Sequence, residues 1–464
     1  MHRHFVSAVG ILSCLIRPAR AIDIDFGDDA SIKSGASTVA YGLVKYYTGN
    51  NTGDVPGNLP DPYYWWEAGA MFGLLVDYWK FTGDDSYNDI TFQALEHQVG
   101  DDADFMPKNQ TKSEGNDDQG FWALAAMTAA ENNFQNPDSD LPGWLALVQA
   151  VYNEYVERWN DATDTCGGGL RWQIFTFNNG YNYKNSVSNG CFFNVASRLA
   201  RYTGNETYAE WATKIFAWEQ SVALINDEFN VLDGAGIAGT DNCTKVNAVQ
   251  FTYNSGLFLH GAAHMYNHTG DDVWKQRLEG LVQAATTLFV QDNILWEPAC
   301  EKTEVGCNTD QQAFKGHLVR WLALATQIAP FTADTIMPLL KSTAEAAAKQ
   351  CSGTSADKYG GPTGTVCGFS WLQQATWDSH SGVGEQMNAL QAIMAPLATT
   401  VAAPFTADNG GTSEGNANAG AADGSKIEKP RDITTGDRAG AGILTTLVLG
   451  GLVGGMYFVM ADGK

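Results

Sequence analysis

Between Asp28 and Leu397 the chain alternates two kinds of helical segment. Six stretches are apolar nearly all round: Ala68–Tyr78, Phe121–Ala130, Phe192–Tyr202, Leu257–Tyr266, Leu318–Ile328 and Gln386–Met394. A helix without a polar face belongs inside a protein. Others, such as Ser31–Tyr47, Tyr208–Val222 and Val273–Phe289, carry apolar residues on one face only and predict helices lying against that interior. Similar breaks separate the two kinds. Thr82-Gly83-Asp84, Thr203-Gly204-Asn205 and Thr269-Gly270-Asp271 each read as a helix end, a glycine cap and an Asx residue opening the next helix. Degenerate versions stand at Pro142-Gly143, Ala329-Pro330 and Ala395-Pro396. The breaks recur roughly every 60–66 residues, and a fixed period of this kind marks a repeat architecture.

One inner and one outer helix per repeat predict an all-α (α/α)6 barrel over residues 22–400. Each hairpin has one short turn and one long loop, so the long loops gather on one face, leading into the inner helices. An open helical solenoid is the alternative; six units with loops gathered on one face favour the closed ring. The repeat also explains why 464 residues need not mean the three domains suggested by a length of about 150 each.

The two ends have a different character. Residues 1–21 combine basic His2 and Arg3, an apolar run from Phe5 to Ile16, and Ala19-Arg20-Ala21, the layout of a secretory signal peptide cleaved after Ala21. Residues 401–438 are rich in Gly, Ala, Asn, Ser and Thr without apolar periodicity, and predict a disordered linker. Residues 439–464 hold the uncharged run Ala439–Met460. Small residues, a polar spacer and an apolar tail form a GPI-anchor signal, with attachment expected among Asn416 to Ser425. The polar end Ala461-Asp462-Gly463-Lys464 departs from that pattern, and an ordinary transmembrane helix is the alternative.

Secretion changes how other residues read. Sequons begin at Asn50, Asn109, Asn205, Asn242 and Asn267 and predict glycosylation. Eight cysteines become seven once Cys14 leaves with the signal, so one thiol stays free. Cys300 with Cys307 and Cys351 with Cys367 read as local staples. Cys191, in an apolar helical stretch, reads as the buried free thiol, which leaves Cys166 for Cys243. No C-x-x-C pair or H-E-x-x-H motif calls for a metal; His260 and His264 have i, i+4 spacing, but Gly261 stands where the zinc motif needs Glu.

Composition narrows the chemistry. Twenty-eight basic residues against 52 acidic give a net charge of −24, which argues against binding nucleic acid or docking by charge on an anionic membrane. Fourteen Trp, 17 Tyr and 22 Phe suit stacking on sugars and equally suit a helical core. The loop-face segments carry Asp61 with Tyr63 to Glu67, Asn116-Asp117-Asp118-Gln119 with Trp122, Asn189-Gly190, Tyr253-Asn254 and Asp310 to Lys315. Aromatic faces with amides and carboxylates suit hydroxyl-rich ligands. Asp117-Asp118 is the sharpest feature: adjacent carboxylates at a helix start can share one cleft, and a close pair splits into an ionised nucleophile and a protonated acid. An Asx pair at a helix start can also be only a cap, and Glu67 and Glu385 have a similar geometric claim. Neither a G-x-S-x-G elbow nor a phosphate loop is present.

Trp65-Trp66-Glu67-Ala68-Gly69, Asn116-Asp117-Asp118-Gln119, Asn189-Gly190, Thr252-Tyr253-Asn254-Ser255-Gly256 and Phe314-Lys315-Gly316 resemble glycoside hydrolase family 76, the endo-α-1,6-mannanases, over residues 22 to 400. With the signal, sequons and tail, the chain is similar to the fungal GPI-anchored cell-wall branch. The resemblance implies a retaining mechanism without metal or cofactor, with Asp117 as nucleophile and Asp118 as acid/base. The loop-face segments and these motifs together put Asp61, Trp65, Trp66, Asn116, Gln119, Trp122, Asn189, Tyr253, Asn254, Asp310 and Lys315 at the substrate. The expected partners are α-mannoside glycans, the GPI-core glycan of wall proteins and a β-glucan acceptor, handled by a monomer at the outer membrane face and wall. A plain endo-mannanase, or a non-catalytic mannose-binding wall protein, is the alternative. A polysaccharide lyase fits less well, since the loop face lacks the Arg and Lys that uronates require.

Overall fold

The computed structural model describes residues 21–110, 113–353, 364–373 and 377–420, and residues 438, 443, 445–452 and 456. The helices in chain order are α1 (Asp29–Val44), α2 (Trp65–Thr82), α3 (Asn88–His97), α4 (Asn116–Glu131), α5 (Trp144–Asp161), α6 (Ser186–Thr203), α7 (Glu206–Ser221), α8 (Thr252–Thr269), α9 (Asp272–Leu288), α10 (Gln311–Ile328), α11 (Ala333–Gln350) and α12 (Val383–Met394). The even-numbered helices pack in sequence, α2 on α4, α6, α8, α10 and α12, and α12 returns to α2. That contact closes the ring and excludes the open solenoid. The odd-numbered helices form the outer layer, each against its inner neighbour.

The short turns lie at the ends of the inner helices. Gly83, Gly204 and Gly270 cap α2, α6 and α8 at φ 80°, 69° and 70°, the left-handed region that glycine enters without Cβ strain. The threonine before each glycine adds a second device. Thr82, Thr203 and Thr269 donate to the carbonyls of Tyr78, Leu199 and Met265, and their hydroxyls accept from the N–H of Asp84, Asn205 and Asp271. Of the three Asx residues, only Asn205 caps the following helix through its side chain, accepting from Thr207 N–H. Asp271 stands at the N-cap without a side-chain bond. Asp84 sits four residues before α3 and takes Tyr78 Oη–H and Ser86 N–H instead.

Each inner helix begins several residues earlier than its apolar run predicts, and a glycine recurs near its start. Gly69, Gly120, Gly190 and Gly256 are the fifth residues of α2, α4, α6 and α8, and Gly316 the sixth of α10. A methyl group at Gly120 would lie 2.6 Å from Cys191 Cβ, at Gly256 2.5 Å from the Trp321 ring, and at Gly316 2.6 Å from Asn388 Cα. These glycines let neighbouring inner helices approach closely one turn below the barrel mouth.

Small sheets, absent from the all-α expectation, brace the loop face. β1 (Tyr183–Asn185) pairs antiparallel with β2 (Gly234–Gly236), which pairs with β3 (Val246–Asn247); β4 (Val290–Gln291) and β5 (Ile294–Leu295) form a hairpin. Disulfides join Cys166–Cys243, Cys300–Cys307 and Cys351–Cys367, while Cys191 is buried and unbonded. His260 and His264 meet Nε2 to Nε2 at 3.2 Å inside the barrel, where burial pushes both well below the usual imidazole range.

The linker expectation for 401–438 needs correction. Its first part runs back over the short-turn end and along α5. Phe405 N–H donates to Glu131 O, Arg201 binds the Pro404 carbonyl, Thr412 N–H reaches Asn133, Asn416 N–H reaches Gln149, and Asn153 binds the carbonyls of Ala417 and Ala419. Side-chain amides on the barrel hold this segment, so it needs no apolar periodicity of its own. Asn416 to Gly420, within the expected attachment range, lie in this docked part; residues 421–437, and residues 1–20 of the 1–21 segment expected to be a signal peptide, fall outside the described residues. Residues 445–452 of the terminal unit are helical, and no helix among the described residues is long and apolar enough to cross a membrane.

Gly204→Ala meets no atom within 4 Å and should cost only the left-handed strain, about 1 kcal/mol. Gly120→Ala must displace the Cys191 contact and should cost about 1–3 kcal/mol. Denaturant unfolding of the two variants tests that order.

Candidate active site

The glycine register determines what faces the mouth. Three residues before each glycine of α2, α4, α6 and α8, at the second helical position, stand Trp66, Asp117, Val187 and Tyr253, and all four line one cleft of about 480 Å³. Loop residues complete it, among them Tyr64, Trp172, Tyr183, Asp233, Phe251 and Asp310. No Lys or Arg is among its lining residues. Tyr253 stacks on Phe314 with centroids 3.8 Å apart and planes within 6°. Trp66 donates its indole N–H to Asp310 at 2.8 Å.

Asp117 and Asp118 occupy the first turn of α4, both partly exposed to the cleft. Asp118 does cap its helix: its Oδ2 accepts Gly115 N–H at 2.7 Å. Its place in the cleft lining shows that a carboxyl can cap the helix and still face the cleft. Asp117 accepts Trp172 Nε1–H at 3.1 Å on Oδ2, and the Ser188 hydroxyl lies 3.5 Å from Oδ1. Gly115 must lack a side chain, because a Cβ there would lie 2.4 Å from Asp117 Oδ1 and 2.9 Å from Asp118 Oδ2.

Burial raises both carboxyls. Asp118 is pushed up to about 7, with the Gly115 N–H restraining the rise and Asp310 adding to it. Asp117 is pushed well above the usual carboxylate range by burial and by Asp118, against its own backbone N–H and the Trp172 indole. Two acids so coupled titrate as a pair. Over a range of pH one proton is therefore shared between the two carboxyls. Glu67 and Glu385 are buried at the same end, burial raising them to about 9 and about 7.

Several expected substrate residues support the site from below instead. Trp122 is fully buried, stacked on Trp65 at 5.2 Å, and donates to Trp65 O; Trp65 itself donates to Gln98. Their ring faces are spent on each other. Asn116 and Gln119 are gripped by Arg158, at 2.9 and 2.5 Å, and bind Arg171 O and Asp104 O. Asn189 clasps both backbone groups of Leu170, and Lys315 pairs with Glu301 at 2.7 Å. Asn254 is fully buried beside Tyr253, and Asp61 is exposed at a cis Asp61–Pro62 bond; neither lines the cleft. Of the expected set, the cleft brings together Asp117, Asp118, Trp66, Tyr253 and Asp310.

Sequence reasoning missed Trp172, Tyr183 and Asp233. They sit on long loops where no period exists, and pairing between β1 and β2 brings two of those loops together. Asp233 accepts Tyr183 Oη–H at 2.6 Å and Asn247 Nδ2–H at 3.0 Å. Gly180, whose Cβ would lie 2.3 Å from the Trp172 ring, was the local signal of a tightly packed aromatic.

The model of glycosyl hydrolase family 76 matches residues 31–408. Mannan endo-1,6-alpha-mannosidase DCW1 of Saccharomyces cerevisiae is 47% identical over 442 residues, 95% of this chain and 96% of that protein. DFG5 of the same yeast, a mannan endo-1,6-alpha-mannosidase, is 44% identical, covering 96% and 95%. The crystal structure of Dfg5 from Chaetomium thermophilum, in complex with glucosamine, superposes with TM-score 0.80 at 46% identity over 86% of this chain and 97% of that one. The fold extends to an α-1,6-mannanase of Salegentibacter sp. HEL1_6, solved with α-1,6-mannotriose as an inactive variant with two adjacent aspartates replaced, at TM-score 0.59 and 20% identity over 79% of this chain and 99% of that one.

Trp122→Ala should act through stability, costing about 3–5 kcal/mol. Trp66→Phe, which keeps an aromatic ring but loses the indole's second ring and its donor to Asp310, should cost less stability than Trp122→Ala while lowering turnover. Parallel unfolding and rate measurements separate the two.

Proposed function

The chain belongs to glycosyl hydrolase family 76 and is a glycoside hydrolase of the mannan endo-1,6-α-mannosidase type, and from that premise we propose that it works by retention, with Asp117 as nucleophile and Asp118 as acid/base. The observation carrying this assignment is the different setting of the two carboxyls. Asp117 faces donors on both oxygens, the arrangement that suits an anion. Asp118, at about 7, keeps a proton to give to the leaving glycosidic oxygen. As that bond breaks, positive charge develops on the sugar and favours the anion on Asp117. The inactive Salegentibacter variant with both neighbouring aspartates replaced is consistent with a paired role.

The same site supports transfer. A glycosyl-enzyme intermediate can be resolved by water or by a sugar hydroxyl. We read the natural donor as an α-mannoside of mannan or of a GPI-core glycan, and the acceptor as wall β-glucan. The acidic cleft, without a lining Lys or Arg, would also accept a cationic amino sugar, in keeping with the glucosamine bound by the Chaetomium relative. Three disulfides suit an oxidising compartment, and the terminal sequences suit a GPI-anchored protein at the outer membrane face. Anchoring holds enzyme near donor and acceptor, which raises the effective concentration of both. A plain hydrolase kept near wall mannan is the second reading.

A slow fluoro-mannoside should leave its adduct on Asp117. Asp117→Asn should abolish turnover of every substrate, while Asp118→Asn should spare those with good leaving groups. Equal, modest losses would reduce the pair to a helix cap. Because Asp118 must be protonated to act as acid, kcat/KM should fall as pH rises through about 7, and Asp118→Asn should remove that limb. With a mannosyl donor and β-glucan oligosaccharides, transfer products should exceed free mannose; hydrolysis alone at every acceptor concentration would leave the second reading.

A further inference from the structure

We propose that Trp172 is a positioning residue for the reaction, its indole N–H keeping Asp117 turned toward the sugar and in the anionic form. The inference rests on Asp117 as the nucleophile. Burial, Asp118 and Asp310 oppose the ionisation of Asp117, and none of the titratable side chains facing it brings a positive charge. Asp118 follows it on α4, Tyr155 faces it from α5, Cys191 from α6, Tyr253 from α8 and Asp310 from the start of α10, and each is an acid that interacts with it. Every one either carries negative charge or offers no positive charge. The Ser188 hydroxyl makes the longer of the two side-chain contacts, 3.5 Å to the other oxygen, Oδ1. Apart from its own backbone N–H, the bond from Trp172 Nε1 at 3.1 Å is what draws Asp117 back down.

The loop around Trp172 is built to hold that indole in place. Trp172 N–H donates to Tyr183 O at 2.7 Å, and its carbonyl accepts Asn116 N–H at 2.9 Å, tying it to the residue just before Asp117. On the next residue back, Arg171 O accepts the Asn116 side-chain amide at 2.8 Å. Gly180, at φ 96°, leaves room for the indole: a Cβ there would meet Cε3 at 2.3 Å. Farther along, Lys184 is fully buried and donates to the carbonyls of Ala162, Thr165 and Gly168 at 2.9, 2.8 and 2.6 Å, gathering the start of the loop. The Cys166–Cys243 disulfide fastens the same segment. The indole itself is 37% exposed, so its removal should not collapse a core. A long loop secured at this many points, ending in one N–H on one carboxylate, is the geometry of an orienting group.

Trp172→Phe keeps an aromatic face but deletes the indole N–H together with one of its two rings. Loss of a hydrogen bond to a charged group should lower kcat roughly 10- to 100-fold, with KM changed little. Asp117 would then hold its proton to higher pH, so the acid limb of kcat/KM should move upward. Gly180→Ala displaces the indole without removing it and should move the limb in the same direction. Thermal unfolding of Trp172→Phe should stay near that of the unaltered protein. An unchanged acid limb, or a loss confined to KM, would overturn the proposal and leave Trp172 as a stacking surface. The fluoro-mannoside adduct is mapped independently on the unaltered protein: an adduct on Asp118 defeats the nucleophile assignment itself, whereas an adduct on Asp117 with an unmoved limb defeats only the role of Trp172.

Discussion

Close approach of the inner helices one turn below the mouth is the constraint on which the rest depends. Six helices can share a ring only if each touches two neighbours along its length, and side chains at the contact set the spacing. Glycine at the fifth residue of four inner helices, and the sixth of another, brings that spacing to a minimum. The consequence is chemical as well as architectural. A residue three positions before a glycine in contact with its neighbour lies about a turn higher, at the rim, so Trp66, Asp117, Val187 and Tyr253 arrive at one cleft from four separate helices.

The opposite end of the ring is held by charge. Arg198 meets Glu131 at 2.6 Å and Arg320 meets Asp77 at 2.6 Å, with Thr128 between the two guanidiniums. These groups sit within segments that otherwise read as apolar. Buried ion pairs add little net stability, yet removing one partner is expensive. Their effect is on specificity of packing: Glu131 ends α4, and its backbone carbonyl also accepts Phe405 N–H. The end of the ring and the docked C-terminal segment are therefore secured at one residue.

Between these ends the cleft is a place where carboxyls are partly buried and no Lys or Arg is among the lining residues. Basic side chains around the cleft are committed elsewhere: Arg158 to Glu154, Asn116 and Gln119, Lys315 to Glu301 and the Phe369 carbonyl, and Lys184 to the carbonyls of Ala162, Thr165 and Gly168. Asp117 and Asp118 consequently titrate far above solvent-exposed aspartates. Small differences in donors, an amide for one and an indole for the other, then have large leverage over which of them carries the proton.

Much of the barrel was legible in the chain. Helical period, the Thr-Gly-Asx turns and the recurrence of inner segments are local signals, and local geometry obeyed them, because a left-handed cap or an apolar helix depends on nearby residues alone. Asp117-Asp118 was legible for the same reason, as two adjacent carboxyls at a helix start. What the linear chain could not decide was which polar or aromatic residue of a motif turns outward. Trp122 and Lys315 stand in the same motifs as Asp117 and Phe314 yet point into the core, since their direction is set by the neighbouring helix and not by their own. Trp172 and Asp233 reached the cleft through strand pairing between distant loops, and the segment after Val401 gained order from the amides of Asn133, just past α4, and Gln149 on α5. Contacts between distant parts of the chain decided all three, and no local pattern encodes them.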